Sequence, residues 1–103
     1  MFEVYPRIFS PNNDGVDDVL NIAWEFESPG YTANIQIYDS RGRLVRKLTR
    51  SKLLPVKGVT TWDGTTDDNL KANIGIYVIF IELFDPQGNI NTYKKTAVLA
   101  GRL

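Results

Sequence analysis

The chain has 103 residues, no cysteine and no histidine, and its twelve basic and twelve acidic residues cancel. The two missing residue types exclude disulfides, zinc sites of the usual His/Cys kind, Ser-His-Asp triads and Cys-His nucleophiles. Neutrality gives no global pull towards nucleic acid, and the length suits one domain that buries roughly two-thirds of its unfolded surface.

The longest apolar run, residues 74–84, is broken by Glu82 and is too short to span a bilayer. No signal peptide is visible. Met1-Phe2-Glu3-Val4 reads as the start of a piece taken from a longer protein, whose other part would hold the targeting information.

Residues 3–9 read as a first strand. Pro6 lacks a backbone donor, which places that strand at an edge or a bulge. Residues 10–18 form a polar loop of Ser, Pro, Asn, Asp and Gly, which compete with regular hydrogen bonding or force turns. Residues 19–26 alternate, with Leu20, Ile22, Trp24 and Phe26 on one face, the period of a half-buried strand. Ser28-Pro29-Gly30 is a turn. Residues 33–39 form a strand, Asp39-Ser40-Arg41-Gly42 a tight hairpin signal, and residues 43–48 the returning strand. A break at residues 55–58 precedes a short strand over 59–62, the Asp63-Gly64 turn and a polar loop over 65–73. Residues 76–84 are apolar on both faces and read as the central strand. Pro86-Gln87-Gly88-Asn89 turns the chain into a last strand over 90–99.

About seven short strands, turn signals between them and no sustained helical period predict an all-β, Ig-like antiparallel β-sandwich over residues 1–103. Ile22, Trp24, Ile37, Tyr77, Ile79 and Ile81 are expected between two sheets. Trp62, Phe80 and Phe84 are expected in the same core.

Three motifs carry a family resemblance. Phe9-Ser10-Pro11-Asn12-Asn13-Asp14-Gly15-Val16-Asp17-Asp18 resembles the opening of bacterial Ig-like C-terminal modules. Ile37-Tyr38-Asp39 through Leu48 resembles their hairpin. Trp62-Asp63-Gly64 through Gly75-Ile76-Tyr77 resembles their Trp-Asp-Gly and Gly-x-Tyr pair, although Asn73-Ile74 stands where the family often has proline. Such modules occur in the flagellar hook-capping protein and at the C-termini of Bacteroidetes surface proteins, including lamin-tail-domain proteins and type IX secretion cargo. The resemblance implies a non-catalytic module of an exported or cell-surface protein, used for anchoring, sorting or protein contact. Its expected partners are other domains of the parent or the export machinery, with no nucleic acid and no transmembrane segment.

Three local features carry candidate chemistry. In the opening loop Asn12, Asp14, the Val16 carbonyl and Asp18, with Ser10 or Asp17, alternate around Gly15 in the manner of an EF-hand-type loop. The match is partial, since Ser10 replaces the usual first acid and no twelfth-position Glu follows, so the first reading is a turn held by side-chain hydrogen bonds and the alternative is one calcium ion there. Asp63, Asp67 and Asp68 form a second acidic group beside Trp62, and loops of a sandwich meet at its ends, so the two groups are expected to share one end. Carboxylate pairs hydrolyse glycosides at the right separation, but a small sandwich without a cleft is a poor host, and no enzyme is expected. Arg41, Arg43, Arg46, Lys47, Arg50, Lys52 and Lys57 follow one another with no acid between Asp39 and Asp63. That run reads as a charge-protected edge strand, or as a patch for phosphate-bearing or acidic surfaces. The rival to a structural module is therefore a calcium- or glycan-binding accessory module.

Overall fold

In the computed structural model, which describes residues 2–12 and 15–101, two sheets pack face to face. The strands are β1 (Phe2–Tyr5), β2 (Ile8–Phe9), β3 (Leu20–Glu25), β4 (Thr32–Asp39), β5 (Leu44–Leu53), β6 (Lys57–Trp62), β7 (Gly75–Phe84) and β8 (Ile90–Leu99). One sheet has the order β1-β3-β6 and the other β2-β8-β7-β4-β5. No helix occurs among the described residues, so none is long and apolar enough to cross a membrane.

The expected sandwich is therefore present, with one more strand than about seven, because the first predicted strand is two. The chain leaves the three-stranded sheet at Pro6, which has no N–H to continue the ladder. Phe2–Tyr5 pairs antiparallel with β3, while Ile8–Phe9 pairs parallel with the end of β8. This is the one departure from antiparallel pairing among the described strands.

The six residues expected in the core are all buried, and the β3 alternation of Leu20, Ile22 and Trp24 points inward as its period requires. Each fully buried side chain of this size contributes about 1.5–3 kcal/mol relative to exposure. Trp24 also donates its Nε1–H to the Pro55 carbonyl at 3.0 Å. Its ring lies on Gly58, where an added Cβ would stand 2.7 Å from Trp24 Cζ2. A side chain larger than hydrogen has no room there.

β7 is the central strand of the five, as expected. Its two apolar faces are not equivalent. Tyr77, Ile79, Ile81 and Leu83 are buried between the sheets. Phe80 and Phe84 are not in the core as expected but half-buried on the outer face. The cause is the two-residue period: a residue an odd number of places from Ile79 must face the other way, and only one face has a second layer over it. There Phe80 meets Tyr38 edge-on, with ring centroids 6.4 Å apart.

One polar atom in this core lacks a partner among the described residues: the Thr49 hydroxyl on β5, opposite Ile35. A buried unpaired hydroxyl carries an unrecovered desolvation cost. Thr49→Val is nearly the same shape and should raise the unfolding free energy by about 1 kcal/mol, read from the urea midpoint. A lower midpoint would mean that the hydroxyl is satisfied.

Candidate functional site

The pieces with sequence motifs gather at one end of the sandwich. The 10–19 loop, the 40–43 turn, the 63–74 loop and the exit from β8 all leave strands at that end. Beneath them three aromatic side chains pack in a row. Phe9 lies 5.5 Å from Trp62, and Trp62 meets Tyr77 edge-on at 5.1 Å. Phe9 comes from the opening motif and Trp62 and Tyr77 from the Trp-Asp-Gly and Gly-x-Tyr pair, so two of the three motifs meet in one cluster.

The 63–74 loop is more ordered than its polar composition suggests. Trp62 Nε1–H donates to the Thr65 carbonyl at 2.8 Å, and Asp63 Oδ1 accepts from the Thr65 hydroxyl at 2.6 Å and its N–H at 3.2 Å. Thr65 pairs with Lys71, and Ala72 N–H bonds the Gly64 carbonyl at 2.8 Å. The Tyr77 hydroxyl donates to the Asn73 carbonyl and closes the loop's far side. Burial, then the nearby Asp39 charge, pushes the Tyr77 phenol above its ordinary 10.0. Asp63 is thus a turn residue, as the simpler reading of the sequence had it.

The two acidic groups do share an end, in part. Asp18 and Asp63 line one open hollow together with Ser10, Asn12, Lys71 and Ile74. Asp67 does not join them. Its N–H donates to the Val45 carbonyl at 3.1 Å, its carboxylate accepts the Lys47 N–H at 3.1 Å, and Arg46 stands 3.9 Å away. Asp67 and Asp68 line a separate hollow beside Arg43 and Leu44. Asp63, Asp67 and Asp68 therefore do not form one constellation: two are drawn apart because Asp67 closes onto the edge of β5.

In the opening loop Ser10 N–H bonds the Asp17 carbonyl at 2.8 Å, and Gly15 N–H donates to Asp18 Oδ2 at 2.7 Å. Gly15 and Asp17 take positive φ, 84° and 49°. Asn12, Val16 and Asp18 belong to this turn, and Asp14 lies outside the described residues. Among the described residues no group of three or more His, Cys, Asp or Glu side chains is placed to hold a metal ion.

The hairpin turn at Asp39 completes the end. Asp39 Oδ1 accepts the N–H groups of Arg41 and Arg43, each at 2.9 Å, and Oδ2 accepts Arg43 Nε–H at 3.0 Å. At the opposite end Asp85 does the same for Gln87 and Asn89. The Arg43 backbone bond foremost, against some desolvation, holds the Asp39 carboxyl below its ordinary 3.8. At Asp85 desolvation raises the carboxyl, but the Asn89, Gln87 and Gly88 hydrogen bonds outweigh it and the net shift is downward. Carboxyls lowered by folding stabilise the fold above their unfolded pKa, and that contribution is lost as pH falls through the folded values. The midpoint of thermal unfolding should therefore drop between roughly pH 5 and pH 3, and less steeply in Asp39→Asn/Asp85→Asn. An unchanged slope in that variant would assign the acid sensitivity to other carboxylates.

Comparison with known proteins decides what this scaffold is. The family model described as the CHU_C type IX secretion signal domain matches residues 3–99. The chain belongs to that family. The match runs from β1 to the last residue of β8, so the type IX signal domain is the entire sandwich rather than a short tail. Among solved structures, the domain superposes on part of PorZ, an essential bacterial surface component of the type IX secretion system of Porphyromonas gingivalis. The TM-score is 0.61 and the identity 22%, over 96% of this chain and 11% of PorZ. It also superposes on CopC from Methylosinus trichosporium OB3b, with TM-score 0.55 and 16% identity, over 100% of this chain and 97% of that one. Both likenesses concern the fold. No curated protein sequence matches the chain. Of the contexts that the motifs suggested, type IX secretion is the one the family match carries; it does not reach the hook-capping and lamin-tail likenesses.

Proposed function

We propose that this chain is the C-terminal sorting module of a larger Bacteroidetes surface or secreted protein, read as a folded domain by the type IX export machinery and without chemistry of its own. The observation that carries this reading is the family match over residues 3–99. The geometry supports it: the motif residues are spent on the scaffold. Trp62, Asp63, Gly64 and Tyr77 hold a loop in place, and Asp39 holds a turn. No described acid pair is set around an enclosed cleft.

The test is a reporter enzyme carrying this domain at its C-terminus, expressed in a Bacteroidetes strain with an intact type IX apparatus and in one without it. Reporter on the surface or in the medium only in the first strain is the expected result. Equal release from both strains, or retention in both, would overturn the reading.

Calcium in the opening loop is a separate proposal that rests on the spacing of Asn12, Asp14, the Val16 carbonyl and Asp18. Thermal unfolding in millimolar calcium against chelator tests it. An upward shift carries the proposal by mass action, and no shift leaves a turn closed by the Gly15–Asp18 hydrogen bond.

A further inference from the structure

β5 is an outer strand of the five-stranded sheet, and it carries most of the basic run as the edge-strand reading expected. Its free side is not uniform. Along residues 45–47 the chain itself covers the edge: Asp67 N–H bonds the Val45 carbonyl, and the Asp67 carboxylate takes the Lys47 N–H. Arg46 adds hydrogen bonds to the Thr65 hydroxyl at 3.0 Å and the Thr66 carbonyl at 2.9 Å. The molecule thus shows what this edge accepts, namely a segment that offers a backbone donor and a carboxylate. Residues 49–53 continue the strand with Arg50 and Lys52 through a bulge, where Ser51 takes φ 45° and gives its N–H to Asn34 Oδ1 at 2.6 Å, and on either side of that bulge no described segment pairs on the free side. Leu53, 65% exposed, stands at its end.

We propose that residues 49–53 of β5 receive an extended acidic peptide segment of a partner protein as an added strand. Backbone hydrogen bonds would supply the pairing, as in other strand-addition interfaces, and Arg50 and Lys52 the choice of sequence. Exposed Leu53 calls for an apolar residue in the segment. The same cations act against the wrong partner. Two copies of β5 meeting edge to edge would set Arg50 and Lys52 against their like, which costs energy, whereas an acidic strand meets no such penalty. The charge layout fits: seven of the twelve basic residues fall in the run 41–57, which holds no acid. The inference goes beyond the export reading and stands apart from it, because binding is measured on the purified chain and export in cells.

The experiment is fluorescence anisotropy of the 103-residue chain with a labelled peptide of alternating glutamate and valine. Saturable binding that weakens as salt rises is expected, together with no binding of the lysine–valine counterpart. Arg50→Glu/Lys52→Glu should weaken binding on the order of tenfold or more while leaving the melting curve in place. Should that variant melt early, Arg50→Gln/Lys52→Gln serves instead, with a smaller loss. A glutamate–valine peptide N-methylated at alternate amides keeps its charge but loses donors, and its binding should vanish. Equal binding of that peptide, indifference to the charge changes, or binding only to anionic phospholipid vesicles would each overturn strand addition.

Discussion

Replacing Trp62 by alanine should lower the unfolding free energy by about 3–5 kcal/mol, the largest single loss expected in the chain. Trp62 is 1% exposed and joins three parts of the molecule. It packs on Phe9, which follows the crossing between sheets, and on Tyr77 at the start of the central strand. Its indole N–H holds the Thr65 carbonyl, so truncation removes a loop contact as well as core volume. Trp62→Phe keeps much of the volume and loses the donor, and should cost about 1–3 kcal/mol. Denaturant unfolding followed by Trp24 fluorescence measures both. A small protein has only about 5–15 kcal/mol in total, so the alanine variant would populate unfolded chain appreciably. If the module is read folded, the reporter carrying Trp62→Ala should also be exported poorly. A loss below about 1 kcal/mol would show that the aromatic row does not tie the end together.

Period and turn chemistry made most of this fold legible. The alternation of Leu20, Ile22 and Trp24 gave β3 its inward face, and the turn residues at 28–30, 39–42 and 86–89 separated the strands correctly. Two things were hidden for a physical reason. Pro6 signals an interruption, but the direction in which the chain leaves is decided by which sheet offers a partner, and that is a tertiary fact. Phe80 and Phe84 look like core residues because hydrophobicity does not report whether a second layer covers a face. The site divided the same way. Asp63-Gly64 as a turn followed from local chemistry. The placement of Asp67 on the β5 edge did not, since it depends on its carboxylate meeting the Lys47 N–H, 20 residues away. A signal for the Asp39 and Asp85 roles was present: both hairpins read Asp-x-x-Gly, with the Asp oxygen taking the N–H groups two and four residues on.

Gly64→Ala should cost about 2–4 kcal/mol, from two sources that a control can separate. The first is backbone conformation. Gly64 has φ +82°, a region where a Cβ costs about 1–2 kcal/mol. The second is space. A Cβ at Gly64 would stand 3.0 Å from Leu99 Cδ1 and 3.1 Å from Pro11 Cγ. That is where the 63–74 loop, the opening loop and the end of β8 converge, so neither neighbour moves without disturbing its own element. Gly42 has nearly the same φ, +83°, but nothing within 4 Å of the added Cβ. Gly42→Ala should therefore show the conformational cost alone, and the difference between the two variants is the steric part. Leu99→Ala removes the atom nearest to the new methyl, so in that background Gly64→Ala should cost less than in the wild type, by a coupling of about 0.5–3 kcal/mol. Denaturant midpoints for the four chains of this cycle, with Gly42→Ala alongside, complete the measurement. Equal costs for Gly64→Ala with and without the Leu99 side chain would leave backbone strain as the whole effect, and the glycine of the Trp-Asp-Gly motif would then serve the turn and not the meeting of the three chain segments.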